Sequence, residues 1–257
     1  MKRLLRFVAP IAVSVAVLLP AAPAHAATNY VALGDSYSSG TGAGSYNLNS
    51  ACQRSTSAYP YIVATAKAYT LNFVACSGAT TVDVITNQIN ALNSGTNLVT
   101  VSAGGNDVGF SSLIATCTLS ACSTSVNNKI TWVNANLAGI LDTLYTQISS
   151  QAPSANVIVL GYPKLFSGTC FSATGISSAE VTASNNLATA IDTVTATRAA
   201  AYGFTYKSAI AQFTGHGVCS SSSWLHGLNL LNTGVSYHPT GTGHSSGYAP
   251  LVRQVTG

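Results

Sequence analysis

The chain of 257 residues is predicted to fold as a single α/β domain, a parallel sheet with helices on both faces. Three observations predict it. Short apolar runs alternate with segments whose apolar residues recur every three or four positions, the period of a half-buried helix. Alternation of that kind is the mark of βαβ units, whose right-handed crossovers place helices over the sheet. Three of the strand-like runs also end in turns of glycine and small polar residues, the edge at which α/β folds keep their chemistry.

The elements follow in order. Residues 30–33 (Tyr-Val-Ala-Leu) form the first strand. Residues 57–69 are helical, with Pro60 acceptable in the first turn. Residues 71–75 make a short strand, and residues 82–92 a helix with Val82, Ile85, Ile89 and Leu92 in phase. A strand covers 98–102. The clearest helix runs over 124–150, where Val126, Ile130, Val133, Leu137, Ile140, Leu141, Leu144 and Ile148 define a core-facing stripe and Pro153 stands just beyond. Residues 156–160 are a buried-type strand. A second long helix spans 178–202, with Val181, Leu187, Ile191 and Val194 inward, and 204–206 form the last strand. After Ser208 the chain reads as loop until a short helix near 241–251. No internal repeat or linker divides it, and the polar stretch 40–50 is a candidate rim for a cleft.

The N-terminus is predicted to be a signal peptide over residues 1–26, leaving one domain over 27–257. Lys2, Arg3 and Arg6 are its basic region, residues 7–19 its apolar region, and Ala24-His25-Ala26 a small-x-small cleavage site. The apolar run is shorter than the ~20 residues of a membrane span. The formal charge of +4 includes those three cations, so residues 27–257 are close to neutral. No run of like charge marks a nucleic-acid surface. Only 6% of residues are charged, and Ser, Thr, Asn and Gly must carry solubility. The expectation is a secreted, extracellular monomer without nucleic-acid partners or stable membrane insertion.

All six cysteines lie beyond the predicted cleavage site: Cys52, Cys76, Cys117, Cys122, Cys170 and Cys219. An even number in an exported chain implies disulfides. Among the fifteen possible pairings, the expected one is sequential: Cys52–Cys76, Cys117–Cys122 and Cys170–Cys219. No pair has CxxC spacing and no histidine stands at ligand spacing from a cysteine, so no metal site is expected.

Three motifs carry chemistry. The first strand ends in Gly34-Asp35-Ser36-Tyr37, a turn that can present the Ser36 hydroxyl at the sheet edge. An activated serine needs a base, a group orienting that base, and donors for an oxyanion. Of the four histidines after residue 26, only His238 sits in a rigid turn, Ser236-Tyr237-His238-Pro239-Thr240. Asn106, in Gly104-Gly105-Asn106-Asp107, can bring a side-chain amide to the cleft, and Gly78, in Cys76-Ser77-Gly78-Ala79, a backbone N–H. Gly243-His244-Ser245-Ser246-Gly247 matches the G-x-S-x-G elbow, but neither acid nor histidine follows it. Ser245 therefore reads as part of the terminal helix.

These blocks resemble the SGNH (GDSL) hydrolases, in particular their actinobacterial secreted lipase and esterase branch, over essentially all of residues 27–257. The resemblance implies a flavodoxin-like three-layer α/β/α fold. It also implies an oxyanion hole built from the Ser36 N–H, the Gly78 N–H and the Asn106 side chain. Two positions depart from the pattern. Tyr37 replaces the leucine of the family nickname. Val235 stands where many members carry an aspartate three residues before the histidine, and no acidic residue follows Asp192. The expectation is a Ser36–His238 dyad, with the Ser236 carbonyl accepting the Nδ1–H of His238 and Asp35 bonding its own turn. Trp224-Leu225-His226 is a candidate cleft wall. His216 and His244 read as solvated, Asp107 as ordering its loop, and Asp83, Asp142 and Asp192 as ordinary helix-face carboxylates. The resemblance implies a cofactor-free ester hydrolase, with lipid esters as the favoured substrates, acylglycerols or phospholipids cleaved at an acyl position. A carbohydrate acetylesterase and a non-catalytic binding protein on the same scaffold are the alternatives.

Overall fold

The computed structural model describes residues 27–117, 120–168, 170 and 175–257. The predicted signal peptide lies outside them. Five parallel strands form one sheet: β1 (Asn29–Gly34), β2 (Thr70–Phe73), β3 (Leu98–Ser102), β4 (Asn156–Leu160) and β5 (Thr205–Lys207), in the spatial order β2-β1-β3-β4-β5. The chain steps from β1 outward to β2, returns past β1 to β3, and then continues in one direction. Right-handed crossovers with that change of direction place α2 (Tyr59–Lys67) on one face and α3 (Thr81–Asn87), α7 (Ala138–Gln151) and α8 (Ser178–Ala201) on the other. The contacts agree: α2 packs on α10 (Ala249–Thr256), whereas α7 packs on both α3 and α8. This is the three-layer flavodoxin-like order. Its ligand site lies beyond the C-terminal strand ends where the order reverses, here between β1 and β3.

Burial follows from that placement. All five residues of β3 are buried, as are the last five of β1. Such near-continuous runs are what a parallel sheet covered on both faces requires. The outer strands β2 and β5 are mostly half-buried or exposed. Tyr30, Tyr59 and Tyr248 are fully buried, and each hydroxyl has a partner: Thr100 Oγ1 at 2.7 Å, Ser38 Oγ at 3.0 Å and the Gly161 carbonyl at 2.9 Å. A chain with few charges buries these phenols with their hydroxyls hydrogen-bonded, the condition for burying them cheaply, whereas the buried Tyr145 hydroxyl has no partner among the described residues.

The predicted helix over 124–150 is two helices, α6 (Ser123–Trp132) and α7, joined by a π turn at Val133–Leu137. Val133, Leu137 and Leu141 are all fully buried. Two successive four-residue steps overshoot a helix of 3.6 residues per turn, and one wider turn absorbs the excess. Val82 departs from the predicted face, being 66% exposed. A capping box between Thr80 and Asp83 fixes where α3 starts and turns Val84 to the core instead. On α8, Leu187 and Ile191 are buried, while Val181 and Val194 are only half-buried. Past β5, Ser208 caps a short α9 (Ala209–Gln212) within the predicted loop, and α10 begins only after a π turn at Gly243–Tyr248.

The disulfides pair sequentially, Cys52–Cys76, Cys117–Cys122 and Cys170–Cys219. The first ties the 40–56 segment to the chain just after β2. The acids expected to be plain helix-face carboxylates have partners. Asp142 pairs with Arg198 at 2.7 Å between α7 and α8, and Asp192 accepts from the Tyr206 and Ser208 hydroxyls at 2.5 and 2.7 Å.

Candidate active site

Four loops meet at the C-terminal edge of the sheet. Ser36 opens α1 (Ser36–Ser39), directly after β1. Gly78 lies in the turn after β2, Asn106 in α4 (Gly105–Val108) after β3 and before α5 (Phe110–Cys117), and His238 in the loop before the terminal helix. All four line one pocket of about 240 Å³, whose walls, including Ser111, Ser112, Thr233 and Gly234, carry no charged side chain. A larger cleft of about 530 Å³ shares Ser77 and Gly78 as a wall and extends toward Arg54 and the Cys52–Cys76 bridge.

The Ser36 turn is fixed by its backbone. Gly34 has φ +123°, and a Cβ there would lie 2.4 Å from the Ser102 carbonyl oxygen, so only glycine fits. The amide of Gln88 clamps it from outside: the Gly34 N–H donates to Oε1 at 2.8 Å, and Nε2 donates to the Gly34 carbonyl at 2.9 Å. Asp35 is the N-cap of α1, accepting from the Tyr37 N–H at 3.0 Å, the helix start that an acidic cap favours.

Asp35 does more than order its own turn. It is 1% exposed and also accepts from the Ser102 hydroxyl at 3.2 Å and the Tyr162 hydroxyl at 2.5 Å. The Tyr162 oxygen in turn accepts from the Gly105 N–H at 3.0 Å. One carboxylate therefore joins the Ser36 turn to the Asn106 turn. Burial pushes the Asp35 carboxyl up to about 6, against the opposing pull of the Tyr162, Tyr37 and Ser102 donors. Asp107 likewise reaches beyond its own loop, accepting from the Thr81 N–H at 3.0 Å and hydroxyl at 2.7 Å. Asn106 Nδ2 donates to the Ala79 carbonyl at 2.9 Å, which leaves its second hydrogen for another acceptor. These bonds bind the Asn106 turn to the Gly78 turn. Gly78 has φ +82° with nothing within 4 Å of an added Cβ. Conformation rather than crowding calls for glycine there. Among the described residues, neither the Ser36 nor the Gly78 N–H is taken by a protein acceptor.

His238 stands 2.7 Å from Ser36 Oγ through Nε2 and 2.9 Å from the Ser236 carbonyl through Nδ1. A carbonyl only accepts, so Nδ1 carries the proton and Nε2 is the bare nitrogen facing the hydroxyl. His238 is 8% exposed, and burial pushes its imidazole down to about 4, with the Ser236 carbonyl pulling the other way. Val235, at the position of the expected acid, is buried as part of a short turn. Tyr37 donates its hydroxyl to the Tyr237 carbonyl at 2.6 Å, so the residue after Ser36 grips the residue before His238. Tyr237 itself holds φ +62°, a conformation that costs a side-chain-bearing residue about 1–3 kcal/mol and that the surrounding structure must hold in place.

Other expectations move. The 40–50 segment braces the His238 loop rather than lining the pocket: the Gly42 carbonyl accepts from His226 Nε2 at 2.8 Å, and a Cβ on Gly42 would sit 3.1 Å from the Cβ of His238. Trp224–His226 backs the same loop through the His226 N–H to the His238 carbonyl at 2.9 Å, instead of lining the pocket. His244 is fully buried, with burial pushing it down to about 3, and its Nδ1 accepts from the Tyr59 N–H at 3.3 Å. His216 is half-buried, stacked on Trp224 with ring centroids 3.7 Å apart. Ser245 is exposed in the π turn, away from the pocket walls. Tyr162 and Gln88 were not singled out by the sequence. The only hint was the Gly161-Tyr162-Pro163 turn after β4, a fourth turn at the same edge.

Tyr162→Phe leaves two buried groups, Asp35 Oδ2 and the Gly105 N–H, without a partner. Each such loss costs about 1–3 kcal/mol. The expected outcome is a lower urea midpoint with an unchanged m value, together with a reduced turnover number at nearly constant KM as the Asn106 turn loosens. Equilibrium denaturation and steady-state kinetics on one preparation check both.

Residues 32–245 match the family described as GDSL-like Lipase/Acylhydrolase. Lipase 1 of Streptomyces coelicolor is 48% identical over 90% of this chain and 88% of its own. The crystal structure of the extracellular lipase of Streptomyces rimosus superposes with a TM-score of 0.85 at 44% identity, over 89% of this chain and 99% of that one. That of phospholipase A1 from Streptomyces albidoflavus superposes with a TM-score of 0.86 at 45% identity and the same coverage. Four loops that meet at one strand edge, and relatives matched nearly end to end, lead to one conclusion: the chain belongs to the GDSL-like lipase and acylhydrolase family.

Proposed function

We propose that this protein is a secreted ester hydrolase in which Ser36 is the nucleophile and His238 its base. The observation that carries the reading is the aligned pair of contacts on one buried imidazole, 2.7 Å from Nε2 to Ser36 Oγ and 2.9 Å from Nδ1 to the Ser236 carbonyl. Ser36 Oγ attacks the ester carbonyl while Nε2 takes its proton. The carbonyl oxygen becomes an oxyanion, held by the Ser36 N–H, the Gly78 N–H and the free hydrogen of Asn106 Nδ2. Collapse breaks the ester C–O bond, and Nε2–H returns the proton to the departing alkoxide. Water, deprotonated by the same nitrogen, attacks the acyl-Ser36 carbonyl and releases the acid. The imidazolium formed at each step is held by the Ser236 carbonyl and faces the oxyanion across the pocket.

The substrates we propose are uncharged acyl chains on lipid alcohols. The pocket wall carries no charge, and the matched relatives include lipases and a phospholipase A1. Export is supported by the composition of residues 1–26, by three disulfides, and by an extracellular relative. We read the chain as a monomer, and as having no nucleic-acid partner because its charge after residue 26 is small and unpatterned.

Acid release from acetylated xylan, trioctanoylglycerol and phosphatidylcholine tests the reading, with Ser36→Ala as the blank. Fatty acid from the lipids that disappears in Ser36→Ala is expected. Acetate alone would move the substrate to carbohydrate esters, and no Ser36-dependent acid from any of the three would leave a binding protein. In the same assay Asn106→Ala is expected to lower turnover about 10²–10³-fold, the size of one oxyanion donor. A change under about threefold would remove Asn106 from that role.

The pH dependence follows from burial. The base must be neutral to accept a proton, and its protonated form is disfavoured until the pH nears 4. On a non-ionising ester, kcat/KM is expected to hold as the pH falls through 6.5, the ordinary midpoint of an exposed imidazole, and to halve near 4. Protonating Asp35 on the way leaves a carboxyl group that still pairs with Tyr162 and Ser102. A midpoint near 6.5 would show that burial does not control this base.

A further inference from the structure

The rim of the pocket carries an apolar feature that the chemistry above does not use. Leu231 is fully exposed and Leu230 is 70% exposed, the two highest values among the large hydrophobic residues described. They stand at the tip of a short loop whose far side, Thr233 and Gly234, is a wall of the pocket holding Ser36 and His238. The tip is held in shape: Asn229 Oδ1 accepts from the Leu231 N–H at 3.1 Å and the Asn232 N–H at 3.0 Å. The base of the loop is fastened by the Asn229 N–H to Ser236 Oγ at 2.9 Å, on the residue whose carbonyl holds His238. The leucines are thus presented outward on a fixed turn beside the entrance.

Charge selects what could cover them. No charged residue occurs between Lys207 and Arg253, and the pocket wall has none. Such a rim neither attracts nor repels an ionic surface, and its favourable contact is with hydrocarbon. Val82, 66% exposed four residues beyond Gly78, adds a third outward apolar side chain next to a pocket wall, on the side where Arg54 and Asp83, of opposite charge, line the adjoining cleft. Two adjacent leucines give a large apolar area to bury for little ordering of the backbone, which Asn229 has already fixed.

We propose that Leu230 and Leu231 form a docking element that inserts into the surface of a neutral or zwitterionic lipid aggregate and sets the pocket mouth against it. The proposal rests on the lipid-ester reading and names how that substrate reaches Ser36. Insertion to the acyl boundary of one leucine is worth about tenfold in partition, and of the pair about 10²-fold.

The test separates docking from chemistry. In the Ser36→Ala background, which cannot turn lipid over, partition onto phosphatidylcholine vesicles is measured by sedimentation. The Leu230→Ser/Leu231→Ser variant is expected to bind about 10²-fold more weakly, and Leu231→Trp to bind at least as well, with its added emission shifted to the blue on binding. With Ser36 intact, the double variant is expected to keep its kcat/KM on a dissolved short-chain aryl ester within twofold. On emulsified trioctanoylglycerol it should lose at least tenfold. Equal vesicle binding with and without the leucines would overturn the proposal, as would equal losses on the dissolved and emulsified esters. A dimer in sedimentation velocity that the double variant dissociates, with lipid binding unchanged, would make a second copy the occupant and also overturn it. Ser36-dependent fatty acid release that ignores the leucines would leave the lipid-ester reading intact while docking fails. Leucine-dependent vesicle binding without Ser36-dependent acid release from any ester would do the reverse.

Discussion

The bond from the Tyr162 hydroxyl to the Asp35 carboxylate is the constraint on which the site depends. Four loops from different parts of the chain must bring a hydroxyl, an imidazole and three N–H groups to within hydrogen-bond reach of one another, and loops are the least rigid parts of a domain. Asp35 is placed to prevent drift because it belongs to the nucleophile turn, bonds the end of β3 through Ser102, and reaches the Asn106 turn through Tyr162 and the Gly105 N–H. A buried carboxylate without partners would be prohibitive. This one has three donors, and the phenol it uses can also accept, so a single side chain closes the link in both directions. Catalytic precision here is a property of the floor beneath the site, where no solvent competes for the bonds.

The same economy governs the base. In many serine hydrolases a carboxylate orients the imidazole and stabilises its positive charge. In the reading proposed above, a main-chain carbonyl does the first job, since it fixes the tautomer, and the second only in part. What replaces the missing charge is geometry. Tyr37 holds the Tyr237 carbonyl, Ser236 is held by the 229 turn, and His226 and Gly42 brace the loop from behind. A base that is seldom protonated at rest does not need a resident anion. It needs one at the moment the proton arrives, and in the reading proposed above the reaction makes that anion itself on the substrate oxygen.

The strands and their parallel sense were legible because burial leaves its trace in composition, whereas the flavodoxin-like strand order was implied only by the family resemblance. β3 and β4 were bounded to the residue by their apolar runs, and the turns that follow β1, β2 and β3 announced themselves by glycine. Ser36, Gly78, Asn106 and His238 were legible for the same reason: each sits in a turn whose backbone demands particular residues, as Gly34 at φ +123° and Gly78 at φ +82° attest. Side-chain contacts between distant loops leave no such trace. Beyond its place in the Gly161-Tyr162-Pro163 turn, nothing local distinguishes Tyr162 from other buried tyrosines, and nothing distinguishes Gln88 from a solvated helix-end glutamine. Their roles exist only once β1, β3 and β4 lie side by side. Val82 and His244 misled in the opposite way, because residue type argued one environment and the phase of the element imposed another. The π turn at Val133–Leu137 was hidden because a regular helix and a helix with one wide turn carry nearly the same apolar stripe.

A chain with this few charges must handle polarity by other means, and it does so alike at every level. Helices α3 and α8 are started by hydroxyl caps, the buried Tyr30 and Tyr248 phenols have hydrogen-bond partners, and the His238 imidazole leans on a carbonyl rather than an acid. Hydroxyl and carbonyl dipoles are weaker than ions, but they are cheaper to bury and leave no field reaching into solvent. The surface that results is nearly neutral around the pocket mouth. For a substrate that is itself an uncharged ester in an apolar phase, that neutrality is the fitting complement. A charged rim would have to be desolvated each time the mouth met hydrocarbon, whereas leucine, serine and asparagine need lose little. On the readings proposed above, the restraint on charge that shapes the interior and the Ser36–His238 pair also favours which surfaces the protein can approach at no electrostatic cost.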